Sequence, residues 1–374
     1  MLKKLINNFK SSISYFIHFI LETEALPALI IFFILTPLIL ILDFSNIPKK
    51  GFGGSILATM NALPLEILFF GFIFAIYRRE KEKSIELDKL LGQIKYYRYI
   101  ETQEAKESIL GILQQLPQTR TKLLDLSNCY LEGAILYHYP LNKVIFDHAN
   151  LEKAHFPSIR DSSFQNARLS NSQLSDISFY KCNFTYANLN GIFTPCPDEI
   201  KFIKCIFSHA QMNKTYFWHG SISYSVLNNV HFDNSKLLMM NLNNNDFSNS
   251  VFNGATISGS SFISSILKSV DFRNSTIKEY FEEMSHGPDI HSITKFSNAN
   301  LEKANMSGLD FKGVDFSGSS LIEANLQHSI NLIKDQLLKA KTLYNAEIDP
   351  DLKELINQEC PSLFEKPEGY DQRN

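Results

Sequence analysis

From Leu126 to Leu326 a large apolar residue recurs at every fifth position for most of the length, with small or polar residues between. The stretch Ala299-Asn300-Leu301-Glu302-Lys303 followed by Ala304-Asn305-Met306-Ser307-Gly308 shows the unit: small, polar, large apolar, polar, polar. Its longest unbroken run is centred on Phe202, Phe207, Met212, Phe217 and so on to Ile277. An α-helix of 3.6 residues per turn would scatter these positions around its surface, and a flat strand would alternate them between two faces. The chain therefore has to turn a corner once per unit so that each large side chain points at a common axis. That predicts a mainly-β solenoid, an architecture that presents surfaces.

The residue two places before each centre forms a second inward position. It is often Ala, as at Ala134, Ala149, Ala187, Ala210 and Ala255, because a narrow coil leaves little room there. Tyr139, Met240 and Leu309 are oversized for it and predict local bulging. The phase breaks three times. Ile159, Arg160 and Asp161 read as three extra residues between Phe156 and Phe164. Thr194 to Glu199, with two prolines that cannot donate to a ladder, predicts a protruding loop. The longest excursion, 279–293, separates Ile277 from Phe296 and reads either as a tolerated insertion or as a partner-binding protrusion.

On these residues the stretch from about 124 to 328 resembles the pentapeptide-repeat proteins, whose signature is A-(D/N)-L-x-x. The resemblance implies a right-handed quadrilateral β-helix with about four units per coil, so residues twenty apart should stack on one face. It also implies a domain order of amphipathic segment (1–24), two transmembrane helices (25–77), helical connector and cap (78–121), β-helix (122–330) and helical cap with tail (331–374). Membrane-anchored bacterial pentapeptide-repeat proteins share that order.

The membrane expectation rests on the residues as well. Ala25 to Leu42 is apolar almost throughout and, at about 1.5 Å per residue, nearly spans a hydrocarbon core of about 30 Å. Ser55 to Tyr77 is long enough for a second span, interrupted by Asn61, Pro64 and Glu66. Lys3, Lys4 and Lys10 precede the first and Arg78, Arg79, Lys81 and Lys83 follow the second, which predicts both ends in the cytoplasm and the Ser45 linker outside. Leu87, Leu90, Leu91, Ile94 and Tyr97 then make a helical stripe, and 102–116 predicts a helix over the first coil.

Chemistry adds little to this picture. There is no Cys-x-x-Cys pair, nucleophile elbow or phosphate loop, so no catalytic residue, cofactor or metal is expected. A rod mimicking duplex DNA would carry one negative charge per about 1.7 Å. Residues 122–330 instead balance 19 acids against 16 Lys plus Arg, which argues against DNA mimicry and against nucleic-acid binding. The expected partners are a lipid bilayer and another protein, with a homo-oligomer as a further option. Tyr216, Trp218, Leu238 and Met239 all fall at outward positions one coil apart and form the candidate interaction patch. The location expected is a bacterial inner membrane with the repeats cytoplasmic. The alternative is a secreted effector inserted in a host membrane.

Overall fold

A computed structural model describes residues 52–117, 122–194, 199–282 and 290–371. The chain divides into two compact units, 1–90 and 91–374. The expected amphipathic segment 1–24 and first span 25–42 lie outside the described residues. The second span falls inside α1 (Phe52–Tyr96), a single helix that runs on into the connector without a break. Among the described residues no helix is long and apolar enough to cross a membrane, so the transmembrane hairpin has no support there.

In the second unit α2 (Gln103–Gln115) starts at Thr102, whose hydroxyl accepts the Ala105 N–H at 3.2 Å. It buries Ala105, Ile109, Ile112 and Leu113, and Lys106 reaches the Glu132 carbonyl of the first coils at 2.7 Å. Short strands then follow: β1 (Leu124–Asp125), β2 (Val144–Ile145), β3 (Ile159–Arg160), β4 (Ile177–Tyr180), β5 (Phe193–Thr194), β6 (Ile200–Ile203), β7 (Tyr216–Trp218), β8 (Ser221–Ser223), β9 (Lys236–Leu238), β10 (Thr256–Ser258) and β11 (Thr276–Lys278). All pair in parallel with the next coil: β11-β10-β9-β7-β5 form one wall and β3-β4-β6-β8 another. Two further walls are ladders of single bridges, such as Asn183–Ile206–Val226–Asp246–Ile266 and Asn188–Gln211–His231–Val251–Asp271. The four-sided coil implied by the resemblance is thus observed.

Inside, centres one coil apart stack. Leu126, Phe146, Phe164, Phe184, Phe207, Leu227, Phe247 and Leu267 make one fully buried column. Its phenylalanine rings lie nearly parallel, Phe164 on Phe184 at 4.7 Å and Phe184 on Phe207 at 4.9 Å, within the offset-stacking range. The small inward position carries a polar ladder of its own. The Cys205 N–H donates to Ser225 Oγ at 3.0 Å, the Ser225 N–H to Asn245 Oδ1 at 2.8 Å, and the Asn245 N–H to Ser265 Oγ at 3.1 Å.

The outer positions have two distinct jobs. Asn or Asp just before a centre accepts the N–H two residues on, as at Asn150, Asp246, Asn300 and Asp315, and so shapes the turn. The residue two after a centre takes a left-handed backbone, with φ of 57° at Asn229, 60° at Asn249 and 59° at Lys303. No Val, Ile or Thr occupies such a position among the described residues, because a branched Cβ clashes there.

Three expectations are corrected. Ile159 is no intruder: it is 2% exposed, pairs with Phe179, and is followed by left-handed Asp161, so it is itself a centre. That coil, from Phe146 to Phe164, is short at 18 residues, whereas Phe184 to Phe207 takes 23 and Leu267 to Leu301 takes 34. Met240 does not bulge the wall either. It is 1% exposed, and Gly220, one coil earlier, donates its N–H to the sulfur at 3.2 Å. Lastly, the coil continues past 330, with Leu343 and Ile348 still inward. Helices α3 (Lys334–Leu337) and α4 (Pro350–Glu359) and a 3-10 turn (Pro361–Phe364) then close the end.

Candidate functional site

The expected patch lies on the five-stranded wall. Tyr216 pairs with Lys236 and Trp218 with Leu238, so the one-coil stacking inferred from the sequence is what the backbone shows. Met239 follows at a left-handed corner with φ of 54°, above His219 in the same conformation. Lys236 Nζ sits 5.9 Å from the centre of the Tyr216 ring, within cation–π range.

The patch is largely covered. Trp218 is only 9% exposed, and Tyr216, Leu238 and Met239 are half-buried. Trp218 meets the excursion after Lys278. The excursion forms an antiparallel hairpin, β12 (Tyr280–Glu282) and β13 (Ile290–Ser292), and the Trp218 indole N–H donates to the Tyr280 hydroxyl at 3.4 Å. Residues 283–289 of that excursion, like 195–198 of the proline loop, lie outside the described residues.

What the sequence reading missed is Phe193. It pairs with Tyr216, its ring lies 5.0 Å away, and it stays 54% exposed at the rim of the covered area. Its partner in the strand, Thr194, points inward in place of a large residue, is fully buried, and donates to the Tyr216 carbonyl at 3.2 Å. On the other flank, Glu199 takes Lys201 at 2.8 Å and lies 3.0 Å from His219 Nδ1, which holds its carboxyl below the usual range. The His219 ring lies 5.2 Å from that of Trp218.

Elsewhere the chemistry is structural. Burial pushes the Cys129 thiol up to about 12 and drives Cys205 upward as well, so both act as compact apolar fillers. Among the described residues no His, Cys, Asp or Glu cluster is arranged to hold a metal. A groove of about 630 Å³ runs past Lys312, Ser317, Ile333 and Lys339. Gln336 spans it, donating to the Phe311 and Val314 carbonyls at 2.8 Å each, which makes the groove part of the end cap.

A four-walled parallel coil built on a five-residue unit defines the class, and the comparison with known families agrees. The model described as pentapeptide repeats matches residues 160–192 and 294–330 in eight copies. The chain thus carries pentapeptide repeats, and the match and the fold together support the pentapeptide-repeat family. Solved structures of similar fold include HetL, a pentapeptide-repeat protein involved in heterocyst differentiation regulation in the cyanobacterium Nostoc sp. It is 14% identical, with 64% of this chain and 93% of that one covered and a TM-score of 0.43. A trypsin-treated form of QnrB1, a plasmid-mediated fluoroquinolone resistance protein, is 15% identical over 58% of this chain and 93% of its own, with a TM-score of 0.24. A pentapeptide-repeat protein of the Arabidopsis thaliana thylakoid lumen is 16% identical over 37% of this chain and 72% of its own, with a TM-score of 0.17. Likeness at this level says nothing of what this chain binds. No curated protein matches the sequence.

Proposed function

We propose that this chain is a non-enzymatic scaffold, held at a membrane, whose solenoid binds another protein on its outer walls. The observation that carries the reading is the filled interior. Phenylalanine and leucine columns occupy the axis coil after coil, so a ligand can meet only the outside. The exposed Phe193 beside half-buried Tyr216 is the aromatic step a protein partner would use.

The membrane part is supported by α1. Ile73, Phe74 and Tyr77 are exposed at 45%, 63% and 62%, and Arg78, Arg79, Lys81 and Lys83 follow at once. Apolar and aromatic side chains running into a basic cluster suit the inner interface of a bilayer. Two measurements test the proposal. With native cysteines replaced, a cysteine for Ser45 should react with an impermeant thiol reagent in intact spheroplasts, and one for Lys366 only after lysis. A photo-crosslinking residue at 193 should capture a discrete partner. Chain released by carbonate extraction would sink the anchor, and a crosslinker at 193 that captures nothing would sink the binding wall.

A further inference from the structure

Acids and bases nearly balance over the whole rod, yet they are unevenly placed around it. Where the chain pairs outer charges it does so across one coil: Lys153 meets Glu132 at 3.0 Å and Arg168 meets Glu152 at 2.8 Å. Lys201, on the outer face of β6, is held by nearby Glu199. The corner that follows the wall of β3, β4, β6 and β8 is different. Lys143, Lys181 and Lys204 occupy its left-handed positions, with φ of 55°, 54° and 56°, and Arg160 stands beside them on β3. All four are exposed, and none makes an ion pair among the described residues. Asp161 is the one acid in this corner column. Lys181 and Lys204 lie one coil apart, about 4.8 Å from backbone to backbone. Like charges so placed are destabilising, so the rod itself gains nothing from them.

Large side chains stand among these cations. Tyr224 takes the next corner position and is 63% exposed, and Ile206 and Val226, bridged to each other on the adjoining ladder, are 42% and 37% exposed. Lys181 Nζ lies 5.3 Å from the centre of the Tyr180 ring on β4. An aromatic ring and aliphatic side chains amid unpaired cations match the headgroup layer of a bilayer, where apolar groups sink and ammonium groups reach phosphates. Branched aliphatic side chains offer no flat ring for a nucleobase to stack on, and a convex corner does not cradle a peptide.

We propose that this corner, from Lys143 to Tyr224, binds the anionic phosphates of lipid headgroups and lays the amino-terminal half of the rod along the membrane surface. Four cations against Asp161 leave only three in excess. The contact therefore rests on the membrane attachment proposed above, which keeps the corner at high local concentration over the leaflet. Each basic group near an anionic surface is worth about fivefold in occupancy, and three in excess give on the order of a hundredfold.

The full-length chain, purified in detergent, is dialysed with vesicles of phosphatidylcholine, alone or mixed with phosphatidylglycerol. A photo-crosslinking residue replaces Tyr224 or, as the control, exposed Lys236, which lies two corners further along the coil and so diagonally opposite. Lipid adducts at 224, read by mass spectrometry, should be at least ~10-fold more abundant in the anionic vesicles, and 236 should give none in either. Raised salt should suppress them, as should Lys181→Glu combined with Lys204→Glu, which turns the excess negative. The salt series uses the unaltered corner, so it decides even if the double variant does not fold. Equal adducts at 224 in the two kinds of vesicle, at 224 and 236, or at low and high salt would overturn the proposal. With polyglutamate or duplex RNA added, an adduct on the polymer in place of the lipid would assign the corner to a protein or nucleic-acid partner and overturn it equally. Flotation with the neutral vesicles reads the attachment alone: a chain left behind refutes the anchor, and adducts on the anionic vesicles still decide the corner.

Discussion

Asn245 allows the polar ladder inside the coil to be tested quantitatively. It is 3% exposed and stands where neighbouring coils carry Ser225 and Ser265. Its Oδ1 accepts the Ser225 N–H at 2.8 Å, and its Nδ2 donates to the Ile222 carbonyl at 2.6 Å. Asn245→Ala strands the buried N–H, costing about 1–3 kcal/mol, and loses the amide bond, worth a further ~0.5–1.5 kcal/mol. The expected destabilisation is therefore about 2–4 kcal/mol. Asn245→Ser should be far milder, within about 1 kcal/mol. Ser250, Ser260 and Ser265 show why: each accepts the N–H one coil before and donates to the carbonyl 23 residues back. Urea unfolding followed by circular dichroism reads the difference. With a slope of ~3 kcal/mol/M, the Ala midpoint should fall by about 1 M and the Ser midpoint by little. Equal midpoints for Ala and Ser would refute the argument that the ladder, rather than side-chain volume, sets the choice of residue.

Four further outcomes are expected. Phe247→Asp puts an unpartnered charge on the axis and should abolish the β signal, while Asn249→Asp, at an exposed corner, should leave the midpoint unchanged. Asn249→Val should cost about 1–3 kcal/mol in the same assay, because a branched Cβ is forced into φ of 60°. Burial works to raise the Asp315 carboxyl, but Ser297, Ser317 and nearby Lys339 outweigh it and hold it below the usual range. The stability this carboxylate adds is present above pH about 4 and lost as pH falls through its lower folded value, so Asp315→Asn should flatten the acid limb of a midpoint-versus-pH curve. Phe193→Asp should leave the midpoint in place, since the side chain is outside, but abolish any partner or self-association read by crosslinking.

Much of the coil was legible because its cause is local. A large residue every five positions leaves the chain no choice but to turn, and the column of Phe207, Leu227, Phe247 and Leu267 follows by counting. Counting also placed Trp218 beside Leu238. It failed where a coil changed length. Ile159 arrives three residues after Phe156 and looked like an insertion, although its burial and the left-handed Asp161 mark it as a shortened unit. Thr194 escaped for the opposite reason: a small residue does a centre's work just before the prolines, which hid Phe193. The cover over Trp218 was illegible in principle. It comes from Tyr280, 62 residues away, in the excursion where the period is silent. The oversized Met240 could have been read only by pairing it with Gly220 one coil earlier.

The differing coil lengths carry a consequence for how such a chain tolerates cutting and splicing. Each unit turns the backbone through one corner, so the number of units before a residue fixes the compass direction in which it faces. Removing twenty residues, 222–241 for instance, would shorten the rod by one storey and leave every wall downstream pointing as before. Removing five between Phe193 and Trp218, 207–211 for instance, would preserve the apolar phase perfectly and still swing everything beyond it by a quarter turn. Phe193 and Trp218 would then look out from different sides. A length change absorbed within a single corner, like the excursion after Lys278, alters neither direction nor stacking. The chain therefore has something like a reading frame in units of four, and a deletion silent to the core would be a frameshift for whatever the walls recognise.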